Sequence, residues 1–286
     1  MLEYEEYVST PKFNIFQYKL VEHYEKLPEV TLSAFAETGI EESSIPVLKQ
    51  RSYTGKKPVI SSSLADTPCI DIGVVGLLEK LNNVLGTSYT LDPIILQPLL
   101  DSYVTQGYDF GTVFGFLRPF WYDITTIDEK LRTREERGQK LREEGIDDWS
   151  FSSDGSGTRA KTPPRRIWDL YANRVLPYWV TYEKLVAMSH AWMDEVDRVD
   201  VWTPINGREW PVPMPNDADL NLIRIEMLSM RAEYVWLDVL CLRQAGGRGE
   251  HLRAEEWKVD VPTIGWVYST SPVGCYFNGL GRPLKL

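Results

Sequence analysis

Cysteine is scarce in these 286 residues, and the three present, Cys69, Cys241 and Cys275, lie too far apart to read as a disulfide framework. No Cys-x-x-Cys pair or Cys/His cluster has zinc spacing, so reduced thiols and no structural metal are expected. Positive charge is also lacking: the formal net charge is -10, and the basic residues are scattered or paired with acids, which disfavours a nucleic-acid partner. No apolar run approaches the ~18 residues that span a bilayer, and "MLEYEEYVST" has no signal-peptide pattern. A soluble, cytoplasmic protein without a membrane span follows as the expectation. Aromatic residues are plentiful instead, at 12% with ten Trp, and they argue for a folded core.

One stretch reads as a joint. "SSDGSGTRAKTPPRR" combines Gly, Ser, Thr and Pro with almost nothing apolar, so residues 151–166 are expected to be a flexible linker. Residues 1–150 before it read as a mainly helical region of unassigned role. "FNIFQYKLVEHYEKL" carries a helical stripe of Phe13, Phe16, Leu20 and Tyr24. "LDPIILQPLLDSYVTQG" offers Asp92 as N-cap, Pro93 at the first helical position and Gly107 past the end, and "IGVVGLLEKLNNVLG" stops at Gly86. The charge-dense "TTIDEKLRTREERGQKLREEG" reads as a solvated surface helix.

Beyond the joint, "YEKLVAMSHAW" suits a buried strand that opens onto a loop. "TPINGREWPVPMP" holds Asn206-Gly207, a two-residue hairpin signal, among prolines that make its strands short or peripheral. "NDADLNLIRIEMLSMRA" reads as an amphipathic helix capped by Asn216 or Asp217, with Leu220, Ile223, Met227 and Met230 on one face. "RAEYVWLDVLCLRQ" follows it, apolar on both faces except at Asp238, as a strand covered by helices on both sides would be. Strand, helix and strand in that order predict a parallel crossover, with Asp238, Arg243, Gln244 and Glu250 toward the carboxyl-end crevice where α/β sheets collect ligands.

Two readings of Asp238 stay open: a loop cap or Arg partner, or a group with a chemical task. A partner such as Arg243 or Arg248, or loop amides, would satisfy it. His190 in "SHAW" has the chemistry of a general base, or serves packing and hydrogen bonding. Cys241, in a buried strand with no marked base, reads as a small hydrophobe. "AGGRGEHLR" is not a P-loop, because Gly-Lys-Ser/Thr is missing.

"EYVWLDVLCLRQ" resembles the signature strand of the fungal heterokaryon incompatibility (HET) domain, through Tyr234, Trp236, Asp238, Cys241 and Gln244. "LVAMSHAW" is similar to that family's first block, through Ser189, His190 and Trp192. "EEWKVDVPTIGWVYSTS" is similar to its helix block, through Glu256, Trp257 and Tyr268, with Asp260 where Glu is usual and Ile264 where Met is. Pro262 within it suggests a kink or a late start. The run from "PRRIWDLYANRVLPYW" onward looks like HET-domain proteins of mushroom-forming fungi, the basidiomycetes.

The resemblance implies an α/β fold, a TIR-like (flavodoxin-like) parallel sheet flanked by helices over residues 167–286. It also implies a role in non-self recognition and programmed cell death, exercised through a protein partner or self-association. Some TIR relatives cleave NAD with a glutamate, so NAD as a ligand and an NAD-cleaving hydrolase form the alternative; no cofactor is otherwise implied. The family's third block, Arg-x-Trp-Thr-x-Gln-Glu, does not follow "VGCYFNGLG" before "RPLKL", and the domain reads as truncated there. Glu250, Glu255 and Glu256 are the remaining carboxylates nearby. The expectation leans against an enzyme.

Overall fold

The computed structural model describes residues 29–35, 40–48, 59–91, 96–147, 162–181 and 183–282. The chain divides into two units, Met1–Thr54 and Gly55–Leu286. In the first, β1 (Glu29–Phe35) and β2 (Ile40–Leu48) pair antiparallel, with a register irregularity between Ser33 and Phe35. This ribbon adds a strand pair, not read in the sequence, to the region expected to be mainly helical; Val30, Thr31, Ile45 and Val47 are β-branched and favour it. The stripe read over residues 13–27 and the Asp92–Pro93 cap lie outside the described residues.

The second unit opens with helices. α1 (Ser62–Ala65) is capped by the Ser61 hydroxyl, which accepts from Leu64 N at 3.2 Å. α2 (Cys69–Leu85) breaks at Gly73 and ends, as its sequence predicts, on a left-handed Gly86 (φ 66°). α3 (Leu96–Thr105) precedes α4 (Phe110–Leu117), whose cap Asp109 accepts from Thr112 N at 2.8 Å. α5 is Ile127–Asp147.

Then come β3 (Arg166–Asp169), β4 (Arg174–Pro177), β5 (Val186–His190), β6 (Arg198–Val201) and β7 (Val212–Pro215). α6 (Leu220–Ser229), β8 (Tyr234–Leu237), α7 (Asp238–Cys241), α8 (Arg253–Thr270) and β9 (Val273–Tyr276) complete the described chain.

The main sheet has the order β4-β3-β8-β5-β9. β8, β5 and β9 are mutually parallel, while β3 runs antiparallel to both β4 and β8. The expected parallel sheet is therefore a mixed one. Its antiparallel edge arises because β3 and β4 are joined by the tight turn at 170–173, with Asn173 at φ 52°, too short for a crossover. Among the parallel strands the spatial order is second, first, third, the order in which a flavodoxin-like sheet begins. β6 and β7 form a separate ribbon joined through Pro204–Asn206 and a left-handed Gly207. Asn206-Gly207 thus lies in a long connection and makes no two-residue hairpin.

Helices and sheet share one core. A Cβ at Gly111 or Gly115 would strike Ala172 or Leu176, so α4 packs backbone-close on the β3–β4 hairpin. Arg118, buried at the end of α4, donates to Asp169 Oδ2 (2.9 Å) and Tyr234 Oη (2.8 Å) and pairs with Glu233. Arg224 of α6 donates to the carbonyls of Leu170 (2.8 Å) and Ile60 (2.6 Å). The compact unit accordingly runs across the segment read as a linker, whose residues 151–161 are not described.

α5 is not a purely solvated helix. Leu131 is buried, Arg134 donates to the carbonyls of Val180 (2.7 Å) and Thr181 (3.0 Å), Gly138 faces Trp179, and Arg142 pairs with Asp260. The packed face is built from Arg and Gly at helical spacing, which hydropathy does not register. α6 is capped by Asp219 rather than Asn216 or Asp217, and α8 starts at Arg253 and continues through Pro262.

Candidate functional site

β5 and β8 are adjacent and parallel, with Met188 paired to Leu237, so His190 and Asp238 emerge side by side at the carboxyl end of the sheet. The strand read through Leu242 ends at Leu237. Asp238 stops it: its carboxylate accepts from Val239 N (2.8 Å), and its carbonyl accepts from Leu242 N (2.8 Å), closing the single turn α7. Gln244 Nε2 donates to Leu242 O at 2.8 Å and reaches Asp238 O at 3.4 Å, holding that turn from outside.

Asp238 is not satisfied by Arg243 or Arg248. Its ionic partner is His190, with Nε2 2.9 Å from Oδ1, while His190 Nδ1 lies 3.3 Å from Ala191 O. Both neighbours of the ring are acceptors, and only the doubly protonated imidazolium can donate to both. Burial by itself depresses the His190 pKa, but the Asp238 carboxylate and the Ala191 carbonyl outweigh it, and the net shift is upward. The bond to Asp238 thus favours the protonated imidazole and suits His190 to donate a hydrogen bond.

The mouth around the pair is aromatic. The Trp192 ring sits 5.2 Å from the imidazole and is 55% exposed; Phe277, just past β9, is 68% exposed. Ala191 N donates to Tyr276 O at 3.0 Å, tying the β5 and β9 loops together. Tyr276 Oη in turn donates to Glu226 of α6. Tyr268 of α8 donates to Met188 O at 3.0 Å and stands edge-on to Trp236.

The other expected crevice residues go elsewhere. Arg243 bonds Glu256 (Nε–Oε2 3.1 Å) and Glu209 (3.0 Å) and lies over Trp210. Glu256 is also gripped by both terminal nitrogens of Arg166, at 3.0 Å each. Burial would raise the Glu256 carboxyl pKa, but the two guanidinium groups bring it down to about 2. Asp260 accepts from Arg165 (2.9 Å) and Arg142, and Trp257 Nε1 donates to Arg243 O at 2.8 Å. Glu250 accepts from Gly246 N at 2.7 Å and pairs with Arg253. Tyr234 belongs to the Arg118 network. Cys241 is buried, its thiol pushed up to about 12 by desolvation, which leaves it an inert hydrophobe as its sequence setting suggests.

The sequence did not reveal Arg118, Asp169, Arg166 or Glu226 as partners, since the bonds they make span 50 to 116 residues. Among the described residues no group of three or more His, Cys, Asp or Glu could hold a metal ion, and no helix is long and apolar enough to cross a membrane. No family model matches the chain, and no curated protein or solved structure does either.

Proposed function

We propose that this chain is a TIR-like HET-type module that signals in non-self recognition and programmed cell death by engaging a protein partner or a second copy. The observation that carries the reading is the His190–Asp238 bond, because it joins the first resemblance block directly to the second. The helix block is tied to both: Tyr268 to Met188, and Trp257 to the Arg243 carbonyl. Motif positions far apart in sequence thus meet in one structure, as a functional signature would require. The second-first-third order of the parallel strands supports the TIR-like fold, and exposed Trp192 and Phe277 offer apolar area for a partner at the sheet's carboxyl end.

The alternative, cleavage of NAD, needs a carboxylate free to face a cationic ribosyl transition state. Glu256 is neutralised by two guanidinium groups, Glu255 pairs with Lys258, and Glu250 is engaged with Gly246 and Arg253. The module reading is therefore preferred.

The test has two arms. The purified chain incubated with NAD should release no nicotinamide above the buffer rate, and Asp238→Ala should abolish killing in a fungal cell-death assay. Nicotinamide release lost on changing one of these three glutamates would replace the proposal with the hydrolase, and full killing by Asp238→Ala would remove its central residue.

A further inference from the structure

A second site lies away from the His190–Asp238 pair. α5, the β3–β4 hairpin and the connection between β6 and β7 enclose a cavity of about 550 Å³, within the range of small-molecule sites. Part of the lining is apolar, formed by Val175, Pro177, Trp179 and Val259. Next to it the lining is ionic, with Arg142, Arg165 and Arg166 at the cavity and Asp260 bonded to them.

Within the ion-pair network of that ionic side guanidinium groups outnumber carboxylates, with Glu135 and Glu143 adding two further acids outside the network. Four guanidinium groups, of Arg142, Arg165, Arg166 and Arg243, share three carboxylates, of Asp260, Glu256 and Glu209, among the described residues. Arg142 bears the deficit. Burial lowers its pKa, Asp260 pulls it back, and the neighbouring Arg165 and Arg166 lower it again, leaving a net downward shift.

Two buried polar atoms of this lining also lack partners among the described residues: Arg142 Nη1, a donor, and Asn206 Oδ1, an acceptor. The Asn206 amide cannot simply be reversed, because its Nδ2 donates to Trp210 O at 2.8 Å. Asn206 is 5% exposed, so its unpaired oxygen is desolvated with no bond to offset the loss. A donor and an acceptor, both buried without partners in residues that line one cavity, form a complementary pair of requirements for a ligand.

We infer that this cavity binds a small organic anion whose carboxylate meets Arg142, whose neighbouring hydroxyl or amino donor meets Asn206, and whose apolar body lies against Trp179. Arg142 is 17% exposed, so its guanidinium can turn one branch toward the ligand while the other keeps Asp260. Glu135 and Glu143 stand exposed at the rim and disfavour polyanions such as nucleic acid. This site is independent of the proposed signalling role.

The test is isothermal titration calorimetry of the full chain with four probes: 3-phenyllactate, phenylacetate, 2-phenylethanol and inorganic phosphate. 3-Phenyllactate should bind most tightly, phenylacetate more weakly for want of the hydroxyl, and phenylethanol and phosphate weakest, one lacking the charge and the other the body. Arg142→Gln should weaken 3-phenyllactate by at least about tenfold, the loss of one charge-assisted bond. Because Arg142 also holds Asp260, a second variant is needed. Gln139→Trp fills the mouth from an exposed position and should abolish binding with an unchanged melting temperature. No saturable binding of 3-phenyllactate at about 10 mM, a concentration that still detects millimolar affinity, would overturn the inference. Equal binding by Gln139→Trp, or phosphate binding as tightly as 3-phenyllactate, would overturn it as well.

Discussion

His190 and Asp238, 48 residues apart, meet at 2.9 Å where two parallel strands end side by side. The bond favours the protonated imidazole and joins β5 to the turn that leads into the rest of the motif.

Asp238→Asn keeps the shape and removes the charge. His190 then loses its counter-ion, and its pKa should fall below the native value, read from the imidazole protons in an NMR titration. Stability should drop by about 1–3 kcal/mol by chemical denaturation. A variant with an unchanged His190 titration would show that the carboxylate does not hold the proton.

The same pair sets a dependence on pH. Since the folded His190 pKa is raised, its stabilisation is fully present below the unfolded histidine value of about 6.5 and is lost as pH rises through the folded value. The native chain should therefore lose stability relative to His190→Gln as pH climbs above the unfolded value of about 6.5 and through the raised folded value. Parallel pH profiles of the two proteins would contradict this.

Glu256 carries the opposite sign. With its pKa near 2 in the folded chain, it stabilises above the unfolded carboxylate value of about 4.3, and the contribution fades as pH falls toward 2. Glu256→Gln should cost about 1–3 kcal/mol at neutral pH, by leaving Arg166 and Arg243 short of an acceptor. The difference between variant and native should shrink in acid, which urea titrations at several pH values would measure.

Gly115→Ala probes whether helices and sheet fold together. The added methyl has no room against Leu176 and Ala172, and overpacking of this kind costs about 1–3 kcal/mol. Because α4 and the sheet share a core, the loss should appear as a shift of one cooperative unfolding transition seen alike by near-UV and far-UV circular dichroism. A shift confined to the helical signal would mean that α4 unfolds separately.

Local chemistry was readable from the chain. Gly86 and Gly107 mark helix ends because left-handed backbone favours glycine, and "YVWL" becomes a fully buried strand because its apolar side chains leave no solvent face, while "VAMSH" is buried at Ala187 and Met188. Asp238 was legible only as lying toward a strand's carboxyl end, because the apolar run continues through Leu242; that the strand stops at Leu237 follows from the turn the Asp238 carboxylate makes with Val239 N. The tertiary structure decided the partners. Whether Asp238 faced an arginine or His190 depended on which strand lay beside β8, and pairing between strands is set by packing over the whole sheet. The inward face of α5 was invisible for a related reason: Arg134, Gly138 and Arg142 read as solvent-facing until Trp179 and Asp260, contributed by other elements, are packed against them. Periodicity reports how residues repeat along one element, whereas ion pairs, close glycine contacts and cavities are properties of two elements at once.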